Sequence, residues 1–192
     1  RRAEWNTYYL AEEKMDGIRY LFHIYGQGNY LTSRRISTQT KKFVEKQDKV
    51  PWLRDMKFPA SLHGTIIDGE IQGGGLSSDT QHLMASSPET CKYHVWDLLF
   101  YKGEDVRGRC AAERRLALQD FFRELEQVKS PYLSNVKLVK QHHPIVGFLD
   151  KIEDQQGEGI VIKDVNAPYG EGWIKVPFED KADSFITNFL PS

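Results

Sequence analysis

The chain predicts an α+β fold with largely antiparallel sheets flanked by helices, and three features of its 192 residues carry that reading. Strand-like alternation dominates from Tyr8 to Ser33 and returns from Gly159 onward, so strands cluster at both ends and outnumber helices. Leu118, Phe121, Phe122 and Leu125 repeat at helical spacing and mark residues 111 to about 128 as the clearest helix. Ile145, Phe148, Leu149 and Ile152 repeat that pattern up to Gly157.

Taken in order, Ile18, Tyr20, Phe22 and Ile24 share one strand face and Gly26-Gln27-Gly28-Asn29 forms a turn, so 8–33 reads as an antiparallel meander. Asp16-Gly17, between Glu12-Glu13-Lys14 and this strand, carries the turn signal of a hairpin. Ser37 or Thr38 suits the cap of a short helix reaching Gln47, and Pro51 to Lys57 reads as another helical turn. Gly64 to Gln72 is strand-like and ends in Gly73-Gly74-Gly75, either a flexible connection or a close backbone approach to a ligand. Ser77-Ser78-Asp79 offers helix caps. Cys91 to Tyr101 reads as a buried strand with Lys102-Gly103-Glu104-Asp105 as its turn, and Pro144 fits a helix start. Trp173 to Val176 and Ser184 to Phe189 complete the strands.

At 22.2 kDa, with 40% apolar, 12% aromatic and 28% charged residues, the chain has the composition of one globular domain with a substantial core. No repeat or low-complexity tract is visible, and no apolar run is long enough to cross a bilayer. No secretory leader pattern is present, and Cys91 and Cys110 can supply neither a four-ligand zinc site nor a disulfide framework. The expected setting is therefore intracellular, in the cytoplasm or, for a viral protein, inside the host cell. The formal charge of −1 says little as a sum, but basic pairs stand at Arg1-Arg2, Arg34-Arg35, Lys41-Lys42 and Arg114-Arg115. A face gathering several of them would bind phosphates even on a neutral protein.

The chemistry concentrates in Lys14-Met15-Asp16-Gly17-Ile18-Arg19, which sets an amine, a carboxylate, a permissive backbone position and a guanidinium side by side. A lysine attacks phosphorus only as the neutral amine, and an unperturbed one is neutral in about one molecule in two thousand at pH 7. Desolvation, neighbouring cations or a metal ion must lower its pKa for such chemistry. Downstream follow Ser33-Arg34, Asp68-Gly69-Glu70, Tyr93-His94-Val95-Trp96-Asp97, Glu158-Gly159-Ile160-Val161-Ile162-Lys163 and Trp173-Ile174-Lys175. In this order the motifs resemble the adenylation domain of ATP-dependent DNA ligases, within the covalent nucleotidyltransferase superfamily that also holds RNA ligases and mRNA capping enzymes.

The resemblance covers nearly the whole chain and implies a nucleotidyltransferase, ATP-grasp-like ligase core. It makes Lys14 the nucleophile toward the α-phosphorus of ATP, with Asp16 and Gly17 shaping the turn that presents it. Glu12 would face the adenine amino group, Arg19 a ribose hydroxyl or phosphate oxygen, and Arg34, with Arg35 as rival, the AMP phosphate and the nick 5′-phosphate. Trp96 would stack on the purine, although a core tryptophan is the alternative. Glu70 is the ribose- or metal-associated carboxylate, and Glu158 the ligand for Mg²⁺ or Mn²⁺. Lys163 would be a catalytic cation on the phosphates, since a lysine closing an apolar strand is costly to bury without a partner, and Lys175 would be the next catalytic cation, on the α-phosphate. Implied partners are ATP and nicked double-stranded DNA, with no membrane and a monomeric chain.

Two departures stand out. The family commonly reads Trp-x-Lys-x-Lys, and here Pro177 stands where the second lysine would point the same way as Lys175, leaving Lys181 as a distant substitute. Chains of this family continue into an oligonucleotide-binding barrel. Residues 1–182 are accordingly expected to form the adenylation domain, with 183–192 starting the connection to a barrel absent from this chain. The remaining alternatives are an mRNA capping guanylyltransferase or RNA ligase core, or a nucleotide- or nicked-DNA-binding module with little turnover. An NAD-dependent ligase is disfavoured because its four-cysteine zinc module has no counterpart here.

Overall fold

Two sheets share one cleft in the computed structural model, which describes residues 8–178 except Gly75 and Pro144, with the side chains of Arg34 and Val146 also outside the description. In chain order the strands are β1 (Tyr9–Glu13), β2 (Ile18–Ile24), β3 (Tyr30–Ile36), β4 (Phe43–Glu45), β5 (Thr65–Gln72), β6 (Lys92–Tyr101), β7 (Glu104–Asp105), β8 (Val136–Leu138), β9 (Gly159–Asp164) and β10 (Trp173–Pro177). The helices are α1 (Pro51–Arg54), α2 (Ser77–Ser86), α3 (Ala111–Leu125) and α4 (Ile145–Asp154). The larger sheet runs β4-β3-β2-β5-β6-β7 with β8 added parallel to β6, and the smaller runs β1-β9-β10. Every other pairing is antiparallel.

Period-2 alternation sends each strand's apolar set to a core of its own. Tyr20, Phe22 and Ile24 of β2, with Ile67 and Ile71 of β5, pack in one cluster with Leu118, Phe121 and Leu125 of α3. Ala11, Ile160 and Ile162 form a second cluster with Ile145, Phe148 and Ile152 of α4. The spacing in α3 and α4 was thus a true core signal, and both helices lie where the periodicity puts them.

The expected meander across 8–33 is corrected. β2 and β3 do pair as a hairpin, but β1 pairs with β9 and belongs to the other sheet. Asp16-Gly17 therefore closes no hairpin; it carries the chain from one sheet to the other. Gly17 is required there, since a Cβ would lie 2.3 Å from the Ile71 carbonyl oxygen. The expected helix from Ser37 to Gln47 is also absent: Ser37 closes a turn by accepting the Gln39 and Thr40 amides on its hydroxyl, and β4 follows. Serine and threonine favour such local bonds as readily as a helix cap. Glu104 and Asp105 extend the turn at Lys102-Gly103 into β7. Gly73 approaches the Cys91 thiol and Leu83, so that close contact is internal packing. The residues 183–192 and the Ser184 to Phe189 strand lie outside the described residues, as do Lys181 and the domain boundary at 182.

One buried ion pair fastens α3 to the larger sheet. Arg114 donates to both Asp97 oxygens at 2.9 Å and also reaches the Arg109 and Ala167 carbonyls, with its side chain wholly buried. Removing one partner of a buried pair leaves an uncompensated charge, so Asp97→Ala is expected to lower the unfolding free energy by about 3–5 kcal/mol. Urea denaturation checks this, with Arg123→Ala, which breaks only a surface pair with Asp120, leaving the midpoint essentially unmoved.

Candidate active site

Strand register assembles the cleft. In the smaller sheet Glu12 and Lys175 both stand opposite Val161, while Trp173 stands opposite Lys163, so these side chains share one face. In the larger sheet Arg19 stands opposite Glu70, and Glu70 opposite His94, two residues before Trp96. The crossing loop enters between them and brings Lys14 and Asp16. The resulting cleft, about 280 Å³, is lined by Glu12, Lys14, Asp16, Arg19, Glu70, Trp96, Glu158, Lys163 and Lys175 among others. Of the expected site residues only Arg34 is missing from it: its side chain lies outside the described residues, and Arg35 faces a neighbouring groove instead.

Lys14 sits at the seam. Its amide donates to the Gly159 carbonyl at 2.9 Å, and its ammonium pairs with Glu158. Burial pushes its pKa below the ordinary lysine value against the attraction of Glu70, and Lys175 adds to the lowering while Asp16 opposes it. Gly159 lets this happen at close quarters: its φ is +140°, and a Cβ there would sit 2.2 Å from the Val176 carbonyl oxygen.

Glu70 accepts the Gly17 amide at 2.6 Å. Burial raises its pKa to about 7, with the Gly17 hydrogen bond and the charges of Lys14 and Arg19 pulling the other way. Glu158 spends one oxygen on Lys14 and keeps the other buried without a hydrogen-bond partner. Among the described residues no group of three or more His, Cys, Asp or Glu side chains could hold a metal ion. A site offering one or two carboxylates, completed by substrate phosphates and water, is the kind Mg²⁺ occupies. Glu158 and Glu70 fit that role, and a cation would ionise Glu70 as it bound.

At the closed end, Glu12 is 2% exposed and receives Lys163 at 2.6 Å and Gln141 at 2.9 Å, with Arg115 at 4.0 Å. This corrects the premise for Lys163: its burial is compensated by a carboxylate of the protein, so burial alone does not call for a phosphate. Arg19 is likewise engaged. It forks onto Asp68 at 2.8 and 2.5 Å and reaches the Tyr169 hydroxyl at 3.2 Å, which itself donates to Asp68 at 2.7 Å. Burial works against the Arg19 charge, yet the Asp68 hydrogen bonds and attraction hold its pKa above the ordinary value. Its guanidinium lies 5.4 Å from the Trp96 ring centre and 5.7 Å from that of Trp173. Trp96 is half-buried on the cleft wall rather than in the core, and both indole N–H groups are buried without a partner.

Asp68, Tyr169, Gln141 and Arg115 were not among the expected site residues. Asp68 lay inside a motif read for its glutamate. Tyr169 stands in a connection without period, and Gln141 and Arg115 are remote in sequence from Glu12, so no local pattern announced them.

Comparison with known proteins bears on family and fold. A profile described as "ATP dependent DNA ligase domain" matches residues 2–176. The chain is 25% identical over 193 aligned positions to the "SPbeta prophage-derived DNA ligase-like protein LigB" of Bacillus subtilis, covering 94% of this chain and 65% of that protein. It is 28% identical to a "DNA ligase" of Methanocorpusculum labreanum, covering 92% of this chain and 33% of that protein. The chain thus spans from about a third to just under two thirds of the length of these relatives. The fold is shared with the "ATP-dependent DNA ligase from bacteriophage T7 complex with ATP", at a TM-score of 0.61 and 15% identity, over 91% of this chain and 64% of that one.

The raised Glu70 pKa gives a stability signature. Folding favours its protonated form, so this contribution is full below the unfolded value of 4.5 and is lost as pH rises through about 7. Glu70→Gln keeps an acceptor for Gly17 without the charge. It should exceed the parent in stability by about 2–3 kcal/mol at pH 8, with the two converging below pH 4.5. Denaturation midpoints across that range check the crossing.

Proposed function

The chain belongs to the ATP-dependent DNA ligase domain family, and from that premise we propose that it is the catalytic core of a DNA ligase in which Lys14 forms a covalent lysyl-AMP. The observation that carries the reading is the environment of Lys14: partly desolvated, near Lys175 and in contact with Glu158 on the seam between the sheets. In the first transfer the Lys14 ammonium gives up its proton to solvent, the amine forms a bond to the α-phosphorus of ATP, and the bond to the bridging oxygen breaks with release of pyrophosphate. AMP then passes to the 5′-phosphate of a DNA nick, and attack by the 3′-hydroxyl seals the strand and releases AMP. Mg²⁺ bound by Glu158 and Glu70 would neutralise phosphate charge.

Within that sequence Lys175 lowers the Lys14 pKa and offers a cation to the α-phosphate. Trp96 and Val161 line the cleft, an aromatic and an aliphatic surface suited to a purine. Glu12 closes the base end, and its carboxylate keeps lone pairs beyond those used by Lys163 and Gln141 with which to accept from an adenine amino group. Lys163 acts chiefly through Glu12, holding that carboxylate in place. Asp16 shapes the crossing loop, and Arg19, fixed by Asp68, presents its edge to the nucleotide.

Mass spectrometry of the purified chain tests the proposal. Incubation with ATP and Mg²⁺ should yield an AMP adduct that maps to Lys14, that is lost in excess chelator and that forms in preference to a GMP adduct from GTP. A preferred GMP adduct would favour a capping enzyme instead, and labelling undiminished by chelator would remove the metal from the chemistry. Lys14→Ala and Lys14→Arg should both leave no adduct, because alanine has no amine and a guanidinium remains protonated. A normal adduct on either variant would reject the nucleophile.

A further inference from the structure

Of the exposed cations elsewhere among the described residues, Lys102, Arg107, Arg109 and Arg123 pair with a carboxylate, while others, Lys57, Lys92, Lys129 and Lys137 among them, join no ion pair. The β3–β4 hairpin concentrates such unpaired charge in one short segment. Arg35, Lys41, Lys42 and Lys46 fall within twelve residues of a chain whose formal charge is −1, and none of them joins an ion pair among the described residues. We propose that this hairpin is a docking arm for duplex DNA, an inference that rests on the DNA ligase reading above and extends it to a surface outside the cleft.

Three observations support that occupant. First, pairing jumps from Thr32–Glu45 to Ile36–Phe43, so four steps along β3 oppose two along β4. Such a bulge re-aims side chains and twists a strand pair, and it falls on Ser33 to Arg35. Second, the tip carries an exposed apolar pair, Ile36 at 58% and Phe43 at 51% exposure, beside Lys41, whose φ of +55° puts a lysine where glycine or asparagine would be less strained. Cations flanking exposed apolar side chains form the combination with which proteins grip phosphates and press on the minor groove. Third, a groove of about 830 Å³ lined by Arg35, Lys46 and Gln81 also touches Arg19, which lines the catalytic cleft. A duplex lying along the arm would therefore pass the cleft mouth.

The test uses the 192-residue chain, a 5′-phosphorylated nicked duplex carrying a fluorophore, and anisotropy across a salt series. Each phosphate contact contributes about 0.9 to the slope of log affinity against log salt, so Lys41→Glu/Lys42→Glu should reduce the slope by roughly 2 and weaken binding at least about tenfold near 0.1 M salt. Lys41→Arg/Lys42→Arg should keep both. Phe43→Ser should weaken binding by roughly three- to tenfold with the slope unchanged, since it removes apolar contact only. All three variants should form lysyl-AMP from ATP alone as fast as the parent, because none touches the cleft. Unchanged affinity and slope in the glutamate variant would overturn the arm. So would equal affinity for a single strand of the same length, or loss of adduct together with binding. Should the parent form no adduct at all, the ligase reading fails by itself, and the anisotropy series still judges the arm.

Discussion

The two sheets of this protein have separate hydrophobic cores, so what holds their common cleft is polar: Arg19 forked onto Asp68, with Tyr169 bridging both. Arg19 and Asp68 belong to the larger sheet, while Tyr169 comes from the connection between β9 and β10 of the smaller one. Lys163 adds a second bridge by reaching the Trp96 carbonyl at 3.4 Å. Apolar contacts are non-directional and would tolerate sliding, whereas the Tyr169 hydroxyl, accepting from Arg19 and donating to Asp68, is held by direction as well as distance. Under the proposed function the cleft has to align an amine with a phosphorus centre, which the second kind of joint favours.

The same clasp gives two of the expected ligand-facing cations partners within the protein. A guanidinium held by Asp68 and Tyr169 and neighboured by two indoles is no longer a free fork for ligand, and Lys163 on Glu12 is no longer a free ammonium. Both belong to the frame of the site. Lys14 and Lys175 differ from them. The first rests on Glu158 at the seam, and the second is an exposed strand residue whose charge is felt at Lys14.

What was legible in the sequence followed from periodicity. Alternation marked the faces of β2 and β9, and the 3.6-residue spacing marked α3 and α4, because both patterns report burial directly. Motif order then gathered Glu12, Lys14, Glu70, Trp96, Glu158 and Lys175, and they do line one cleft. Sheet membership was not legible. β1 and β2 look like consecutive strands of one meander, and only the pairing of Tyr9–Glu13 with β9, about 150 residues away, separates them. Tyr169 and Gln141 were hidden for the same reason, as partners chosen by tertiary approach. The false helix at 37–47 shows the opposite failure, a cap-competent serine whose hydroxyl closed a turn instead.

Charge balance in the cleft bears on how a nucleotide could be held. Its lining carries four cations, Lys14, Arg19, Lys163 and Lys175, against five carboxylates, Glu12, Glu13, Asp16, Glu70 and Glu158. Three of those cations are already matched, Lys14 by Glu158, Arg19 by Asp68 and Lys163 by Glu12, and Pro177 stands where a further lysine could have been. A triphosphate would therefore enter a site with little spare positive charge. Protonation of Glu70, whose pKa stands near 7, removes one opposing charge, and a divalent cation on Glu158 would add two favourable ones. Under the proposed function the ammonium of Lys14 drops out of the balance, because a nucleophilic amine gives up its proton. Electrostatic attraction for a polyanion would then come from outside the cleft, where the β3–β4 hairpin gathers Arg35, Lys41, Lys42 and Lys46 with no ion pair among the described residues.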